Sequence, residues 1–468
     1  MSKHEIKRIK TSTCAQYGTA GLADTFLTFG ITTLVMPIYN IGMGIDAKLI
    51  GWALVLPRIL DALTDPLMGN ISDNTRSRFG RRRQYVFLGA LLCALLFPFV
   101  WMPPAASDNV IVGYLIGIMC LFSISYTIFN VPYTALGYEL TSDYDERTRL
   151  FAWRFYFATA AGVTIQWLYK LCLMAGETEV DGVRVVSWVI AAIVLVFGII
   201  PALFTREQAV VEAQEKVNLF KSVKCALRNR PFLMLISSYV ILVTALFSTG
   251  ALGLYINIFY IFDGDKDSAA TVSGVVGTIL IASAFVGMLV VKKISELTGK
   301  KAAIIIAMSA ALFAVLLSWF TLTPKMPYLQ IVHSIIMGMG VQGGWLLFSS
   351  LLGDVCDEDE RQTGLRQEGI YSAVMGFANK CAGAFVGVGA AYMLEFAGYV
   401  EGMEPNAEIG YKMKIIFVSM QAVGLLVAIL LMVLFPIGRK RAEETRRILD
   451  ERKQAEGSSP SFVTILRK

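Results

Sequence analysis

Residues 110–137 read VIVGYLIGIMCLFSISYTIFNVPYTALG and contain no Asp, Glu, Lys or Arg. A helix of about 20 apolar residues crosses the roughly 30 Å hydrocarbon core of a bilayer, so this stretch predicts a membrane-spanning helix. The whole chain agrees, since 55% of its 468 residues are hydrophobic and 17% are charged, against about 25% charged residues in an ordinary soluble protein. The sequence therefore predicts an all-α membrane protein.

Further apolar stretches of similar length lie on both sides of residues 110–137. Four of them are also free of charge, and they cover residues 85–104, 186–204, 302–321 and 415–437. Seven others carry a polar or ionisable interruption, and they cover residues 15–40, 49–70, 151–169, 231–262, 268–291, 327–353 and 368–398. We therefore expect twelve transmembrane helices joined by short loops, with no room for a soluble catalytic domain.

The chain offers few residues for catalysis or for resident metal and cofactor binding. Only His4 and His333 are present, and His333 lies in an apolar stretch, where a buried structural histidine is the simpler interpretation. The seven cysteines contain no C-x-x-C pair, which argues against a zinc site or a disulfide framework. The net charge of +6 comes from short clusters between apolar stretches. We therefore predict neither an enzyme nor a nucleic-acid-binding protein, and no cofactor beyond a coupling ion.

Lysine and arginine residues are distributed unevenly between alternate loops. With the N-terminus inside, most of the 42 basic residues fall in the inner segments. Such a bias places those segments in the cytoplasm, which predicts a protein of the cytoplasmic (inner) membrane with both termini inside. The outer segments hold only Lys48, Lys170, Arg184, Lys266, Lys325, Lys412 and Lys414.

Two loop motifs occur twice at nearly the same offset. A Gly-basic-basic run begins at Gly80 and again 219 residues later at Gly299, and an acidic run ends at Arg147 and again 214 residues later at Arg361. The repeat predicts two six-helix bundles of the same orientation related by a pseudo-two-fold axis, the architecture of the major facilitator transporters. The predicted domains are the bundles 1–204 and 231–437, the cytoplasmic linker 205–230 and the basic tail 438–468.

The second apolar stretch concentrates three ionisable residues. Arg58, Asp61 and Asp65 share one helical face because their spacing is i, i+3 and i+7, and Thr64 lies beside them. An ionisable group at the centre of a membrane helix costs roughly 2.5 to 3.5 kcal/mol unless it is paired or hydrated. Two carboxylates and a hydroxyl therefore predict a site for a small cation or a proton. The alternative is an Arg–Asp pair that only holds helices together, but it leaves one Asp without a partner. Arg58 or Lys380 can neutralise one carboxylate, and the other then needs a mobile ion.

Single charges lie in three other stretches, at Asp24, Arg154 and Lys380. Asp24 and Arg154 either pair as a structural element or offer hydrogen bonds to a polyhydroxylated ligand. Trp345 follows Gly343 and Gly344, which we expect to break the tenth helix, and it can supply the flat aromatic face that a sugar needs. Packing of Trp345 at the membrane interface is the alternative.

The residues from Arg58 to Arg81 resemble the signature of the glycoside-pentoside-hexuronide cation symporters, and the similarity extends over 126–132, 153–155, 345–354 and the region of Lys380. A member of that family has Asn, Asp and Trp where this chain has Thr64, Asn130 and Thr134, which leaves the ion and the sugar open. The resemblance implies a cation site at Asp61, Thr64, Asp65 and Thr127, occupied by Na⁺ or H⁺. It implies a sugar pocket at Asp24, Asn130, Thr134, Arg154, Trp345 and Lys380.

The expected function is cation-coupled symport of a sugar, glycoside or uronide by alternating access, carried out by a monomer in the lipid bilayer. The two halves would rock about a midplane site, and the repeated loop motifs would hold the cytoplasmic side closed. A lysolipid or amphiphile transporter of the same fold is the alternative. A membrane-embedded enzyme is disfavoured because the sequence shows no nucleophile–base arrangement.

Overall fold

The computed structural model describes residues 9–141, 143–205, 228–364 and 367–458, and the regular elements within them are helical. The N-terminal half contains α1 (Thr11–Gly42), α2 (Ala47–Ala53 and Val55–Asn74), α3 (Arg83–Phe99), α4 (Asp108–Glu139), α5 (Tyr144–Ile165 and Leu168–Ala175) and α6 (Glu179–Phe204). The C-terminal half contains α7 (Arg230–Ile261), α8 (Lys266–Thr298), α9 (Lys300–Thr321), α10 (Gln330–Thr363), α11 (Glu368–Phe396) and α12 (Ala407–Leu434), followed by α13 (Arg439–Ser458).

Each of the twelve predicted transmembrane segments coincides with one of the helices α1 to α12, which confirms the all-α membrane fold. Among the described residues, eight helices are long and apolar enough to cross a membrane by length and composition. Helix α2 falls short of that measure because of its charged residues, and α3 because it has only 17 residues. Residues 1–8, 206–227 and 459–468 lie outside the described residues, so the domain limits stay a prediction.

Ion pairs at equivalent places in the two halves reflect the repeat seen in the sequence. Arg81, two residues before α3, pairs with Glu139 at the end of α4. Lys300, at the start of α9, pairs with Asp354 in α10 at 2.7 Å. An ion pair thus links the third and fourth helices at the same place in each half.

The two halves contact each other at the face opposite to the one where α1 begins and α12 ends. We call these the distal face and the terminal face. At the distal face, Lys48 pairs with Glu395 at 2.9 Å, and the Tyr255 hydroxyl donates to Asn40 Oδ1 at 2.6 Å. Gly51 lies so close to α11 that an added Cβ would be 2.9 Å from a backbone oxygen there. The structure therefore shows the state in which the distal face is closed.

Two ion pairs on the terminal face each join residues of the same half. Arg82 pairs with Asp73 at 2.5 Å in the N-terminal half, whereas Lys300 and Asp354 belong to the C-terminal half. The loop motifs that the sequence suggested as latches between the halves thus make these described contacts within each half in this state.

The expected break of the tenth helix at Gly343 and Gly344 was wrong, because α10 continues without interruption from Gln330 to Thr363. Glycine costs a helix about 1 kcal/mol relative to alanine. In a bilayer, however, every backbone polar group needs a partner within the protein, and a continuous helix supplies it.

Lys414 was predicted in an outer loop and lies instead within α12, where it is 5% exposed. Its amine donates to the backbone oxygen of Leu322 at 2.7 Å and lies 5.3 Å from the ring centres of Tyr260 and Trp319. A carbonyl oxygen and aromatic faces stabilise the ammonium group in place of water. The sequence prediction started the last span at residue 415, directly after Lys414, and therefore missed the first two turns of α12.

Candidate functional site

The close approach of α1 to α5 brings Asp24 next to Arg154. A Cβ added to Gly18 would lie 2.9 Å from the backbone of Trp153, and one added to Gly21 would lie 2.6 Å from the backbone oxygen of Arg154. Two glycines one turn apart thus allow the two helix backbones to approach closely, and larger side chains at these positions would keep them apart. Asp24 follows on the same face of α1, one turn beyond Gly21.

Asp24 accepts hydrogen bonds from three side chains. Its Oδ2 pairs with Arg154 at 3.0 Å, and its Oδ1 accepts from the Tyr126 hydroxyl at 2.8 Å and from Asn130 Nδ2 at 2.7 Å. The Arg154 guanidinium also lies over the ring of Tyr133, 4.8 Å from its centre. The Asp24 and Arg154 side chains remain 17% and 22% exposed, so both are accessible to a ligand. We call these five residues the Asp24 cluster.

Thr134 lies one turn beyond Asn130 on α4 and is half-buried. This places it beside the Asp24 cluster on the side toward the terminal face. The structure thus groups three predicted sugar-site residues of α4 and α5 with Asp24.

The predicted cation residues of α2 meet α4. Thr127 Oγ1 donates to Asp65 Oδ1 at 2.9 Å and lies 3.1 Å from Thr64 Oγ1. Ser123, one turn earlier on α4, donates to Asp61 Oδ1. Carboxylate and hydroxyl oxygens are the ligands that hard cations prefer. The structure therefore brings all four predicted residues together, with Ser123 as an addition, and we call this set the carboxylate site.

Two basic side chains neutralise the carboxylate site. Lys380 of α11 pairs with Asp65 and also donates to the backbone oxygen of Asp61 at 3.1 Å. Arg58 lies 3.8 Å from the Asp61 carboxylate. Lys380 was assigned to the sugar pocket by resemblance, but the structure places its amine on the carboxylate site and makes it a bridge between the two halves.

Trp345 lies in the C-terminal half with two other aromatic residues. Its ring packs edge-on against Tyr239, with 5.2 Å between the ring centres, and lies 6.2 Å from the ring of Phe247. The Tyr239 hydroxyl donates to Asn379 Oδ1, adjacent in sequence to Lys380, at 2.9 Å. This aromatic group therefore adjoins the helix that supplies Lys380.

A cavity of about 840 Å³ lies between the halves and borders these regions. Its wall includes Tyr126 of the Asp24 cluster, Asp61 of the carboxylate site and Phe247 beside Trp345. Most of the remaining wall is apolar, and polar side chains of both halves, such as Gln166 and Gln330, lie among the apolar ones. Ligand pockets for small molecules commonly have this composition and a volume of about 300 to 1,000 Å³.

Sequence reasoning did not assign Ser123, Tyr126 and Tyr133 to the site. A signal was present, because the polar residues 123, 126, 127, 130, 133 and 134 recur at intervals of three or four along α4. Serine, threonine, tyrosine and asparagine are uncharged, however, and do not stand out in an apolar stretch as Asp or Arg does.

Comparison with known proteins assigns the family. The sequence model of a family described as MFS/sugar transport protein matches residues 16–439. The chain belongs to this family. Its members are membrane transporters, so the protein is a multi-pass membrane transporter and not an enzyme, as predicted.

Three relatives of the protein match most of its length. The glucuronide carrier protein homolog of Escherichia coli is 24% identical over 98% of this chain and 99% of the relative. The isoprimeverose transporter of Lactiplantibacillus pentosus is 25% identical over 84% and 82%. The sodium-dependent lysophosphatidylcholine symporter 1-B of Danio rerio is 25% identical over 100% and 95%. The family match and the first two of these relatives confirm the resemblance to the glycoside-pentoside-hexuronide symporters.

Solved structures confirm the major facilitator fold. The nucleoside transporter NupG has a TM-score of 0.62 at 13% identity, covering 91% of this chain and 100% of that one. A D-xylose-proton symporter has a TM-score of 0.61 at 17% identity, covering 89% and 96%. At these identities the similarity concerns the fold alone.

Proposed function

We propose that the protein is a cation-coupled symporter that imports a sugar or glycoside across the cytoplasmic membrane. One observation carries this proposal: α4 serves the carboxylate site and the Asp24 cluster with adjacent residues. Thr127 bonds Asp65, and its neighbour Tyr126 bonds Asp24. A shift of α4 on cation binding therefore changes the hydrogen-bonding geometry of the sugar site, and the reverse holds by thermodynamic reciprocity.

The coupling cation binds between Asp61 and Asp65, with the hydroxyls of Thr64 and Thr127 completing an oxygen site. In the ion-free carrier, Lys380 occupies this place as a tethered cation. An entering cation displaces its amine, so the two carboxylates never remain without a positive partner in a low-dielectric site. We favour sodium because four oxygen ligands are available, whereas a proton needs only one carboxylate.

The sugar binds at the Asp24 cluster, where carboxylate, guanidinium and amide groups offer donors and acceptors to hydroxyls. Thr134 extends this surface on the N-terminal side. Trp345 supplies an aromatic face from the C-terminal half when the two halves approach each other. Charge-assisted hydrogen bonds together with a stacking face give both affinity and orientation for a sugar ring.

The terminal face is the cytoplasmic face, by the distribution of lysines and arginines, and transport proceeds by alternating access of a monomer. The structure then corresponds to a carrier closed toward the outside. In the alternate state, the repeated acidic and basic loop motifs close the cytoplasmic side, and the distal contacts such as Lys48–Glu395 open.

Transport of a lysolipid is a second candidate, favoured by the full-length relative from Danio rerio and by the apolar wall of the cavity. Uptake into proteoliposomes with sodium outside distinguishes the two, using labelled isoprimeverose, methyl glycosides and lysophosphatidylcholine in parallel. Sodium-dependent accumulation of a sugar or glycoside supports the proposal. Sodium-dependent movement of the lysolipid, without uptake or competition by any sugar, would assign the second function instead.

A further inference from the structure

A row of uncharged polar side chains lies on the wall of the cavity in the C-terminal half. Gln330 Nε2 donates to Asn257 Oδ1 at 2.8 Å, and Asn257 Nδ2 donates to Ser273 Oγ at 2.8 Å. The three residues belong to α10, α7 and α8. We call them the amide row, and neither sequence reasoning nor the family resemblance singled them out.

The amide row has hydrogen-bonding capacity left for a ligand. Each primary amide carries two donor hydrogens and an oxygen with two lone pairs. Within the row, Gln330 and Asn257 each use one donor, and Asn257 Oδ1 accepts once. Both amides are only 3% exposed, yet all three residues line the cavity that also reaches Tyr126 of the Asp24 cluster. A ligand that contacts Tyr126 of the Asp24 cluster therefore lies in the same cavity as the row.

The helix geometry at Asn257 sets the row apart from ordinary interhelical packing. Asn257 begins a π-helical turn that runs to Ile261. Such turns inside α-helices occur frequently at functional sites. Polar residues within membrane helices also commonly face substrate pathways, since their desolvation has to be offset. Two residues before Asn257, the Tyr255 hydroxyl bonds Asn40 across the closed distal face, so the row lies directly beneath that closure.

We propose that the amide row is a second sugar subsite, which binds a neutral, hydroxyl-bearing unit attached to the sugar held at the Asp24 cluster. The inference rests on the proposed function and extends it from one ring to a disaccharide or hydroxylated glycoside. The row carries no charge, so it suits hydroxyl groups, which donate and accept as amides do. Its position makes it the first part of the binding site that a substrate meets from the distal face.

The test compares sugars that differ by one unit. Binding is measured by isothermal titration for three pairs: methyl α-xyloside with isoprimeverose, methyl α-galactoside with melibiose, and methyl β-glucoside with cellobiose. For a pair that binds, Asn257→Ala and Gln330→Ala are expected to weaken the disaccharide by about three- to tenfold. The monosaccharide glycoside should keep its affinity within about twofold, because it does not reach the row.

A matched control is Ser238→Ala, which removes a buried hydrogen bond between α7 and the Ala428 oxygen of α12 outside the row. It should leave the ratio of the two affinities unchanged. If Asn257→Ala does not fold, Gln330→Ala decides, since Gln330 lies at the end of the row. Equal loss for both sugars, no loss for either, or misfolding of both variants would show a structural row and overturn the subsite. Failure of the wild type to bind any of the six sugars would instead contradict the proposed function and, with it, the subsite.

Discussion

Asp24 and Arg154 form an ion pair whose side chains remain 17% and 22% exposed, and we propose that it binds the sugar. Replacing either residue by alanine removes charge-assisted hydrogen bonds to sugar hydroxyls, each contributing about 1.5 to 3 kcal/mol. We expect Asp24→Ala and Arg154→Ala to lower sugar affinity at least about tenfold in titrations. Asp181→Ala, which changes an exposed partner of Arg184 at the distal face, is the control. A variant that folds normally and binds sugar as the wild type does would make the pair structural.

Lys380, which the resemblance assigns to the sugar pocket, has its amine on Asp65. If it acts as a tethered cation, Lys380→Met should bind sodium at least as tightly as the wild type, because one competitor for the carboxylates is gone. Without this amine, the ion-free carrier should change only slowly from the inward-open to the outward-open state. Net accumulation of sugar should therefore fall, whereas sugar exchange at saturating sodium, which does not use this step, should persist. Lys412→Met, which removes an exposed pair with Glu408, serves as the control. Normal net accumulation by Lys380→Met would contradict this role.

At the scale of elements, α13 is bound to α10 by a buried acidic residue. Glu358 Oε1 accepts from Arg441 at 2.8 Å, and its Oε2 accepts from Thr445 at 2.7 Å. Burial alone would raise the pKa of Glu358, but hydrogen bonds from Arg441, Arg361 and Thr445 outweigh it and lower the pKa to about 2. The carboxylate of Glu358 thus fastens the C-terminal helix to the terminal end of α10.

The lowered pKa of Glu358 gives this attachment a defined pH dependence. A carboxyl group whose pKa is lower in the folded than in the unfolded protein stabilises the fold above the unfolded value of 4.5, and this contribution is lost as the pH falls toward 2. Glu358→Gln should therefore lower the unfolding temperature at pH 7, and the difference from wild type should shrink below about pH 4.5. Glu443→Gln, which changes an exposed pair with Arg439, should have little effect. A difference that does not change with pH would contradict the assignment.

Each predicted apolar stretch coincides with a helix, although only eight of the described helices are long and apolar enough to cross a membrane by length and composition alone. Apolar length did not predict the helix ends, since turns such as the one holding Lys414 carry charges that the fold neutralises locally. It also missed the helical form of residues 439–458, which are polar and depend on contacts with α10.

The candidate site was predictable only in part. Charged residues such as Asp61 and Asp24 stand out in apolar stretches because their insertion is costly. Neutral groups such as Tyr126 and Asn257 do not, and their roles follow from which helices meet. The position of Lys380 required the structure, because it depends on how α11 of one half crosses α2 of the other.

For the whole molecule, the account requires that the terminal face lies in the cytoplasm. In a background without native cysteines, a membrane-impermeant maleimide should label Glu177→Cys in intact cells, because Glu177 is exposed at the distal face. Asp450→Cys, exposed on α13, should react only after the membrane is opened. Labelling of the cysteine at position 450 in intact cells would invert the topology.

The central claim is that a cation gradient drives sugar accumulation through the carboxylate site. The most direct test is sugar uptake into proteoliposomes under an imposed sodium gradient without a pH difference, and then under a pH gradient without sodium. We expect accumulation with sodium alone, and its loss in Asp61→Asn and Asp65→Asn, because each variant removes a charged oxygen ligand. Accumulation under the pH gradient alone would replace sodium by protons at the same site. Accumulation that survives in both variants would contradict the claim.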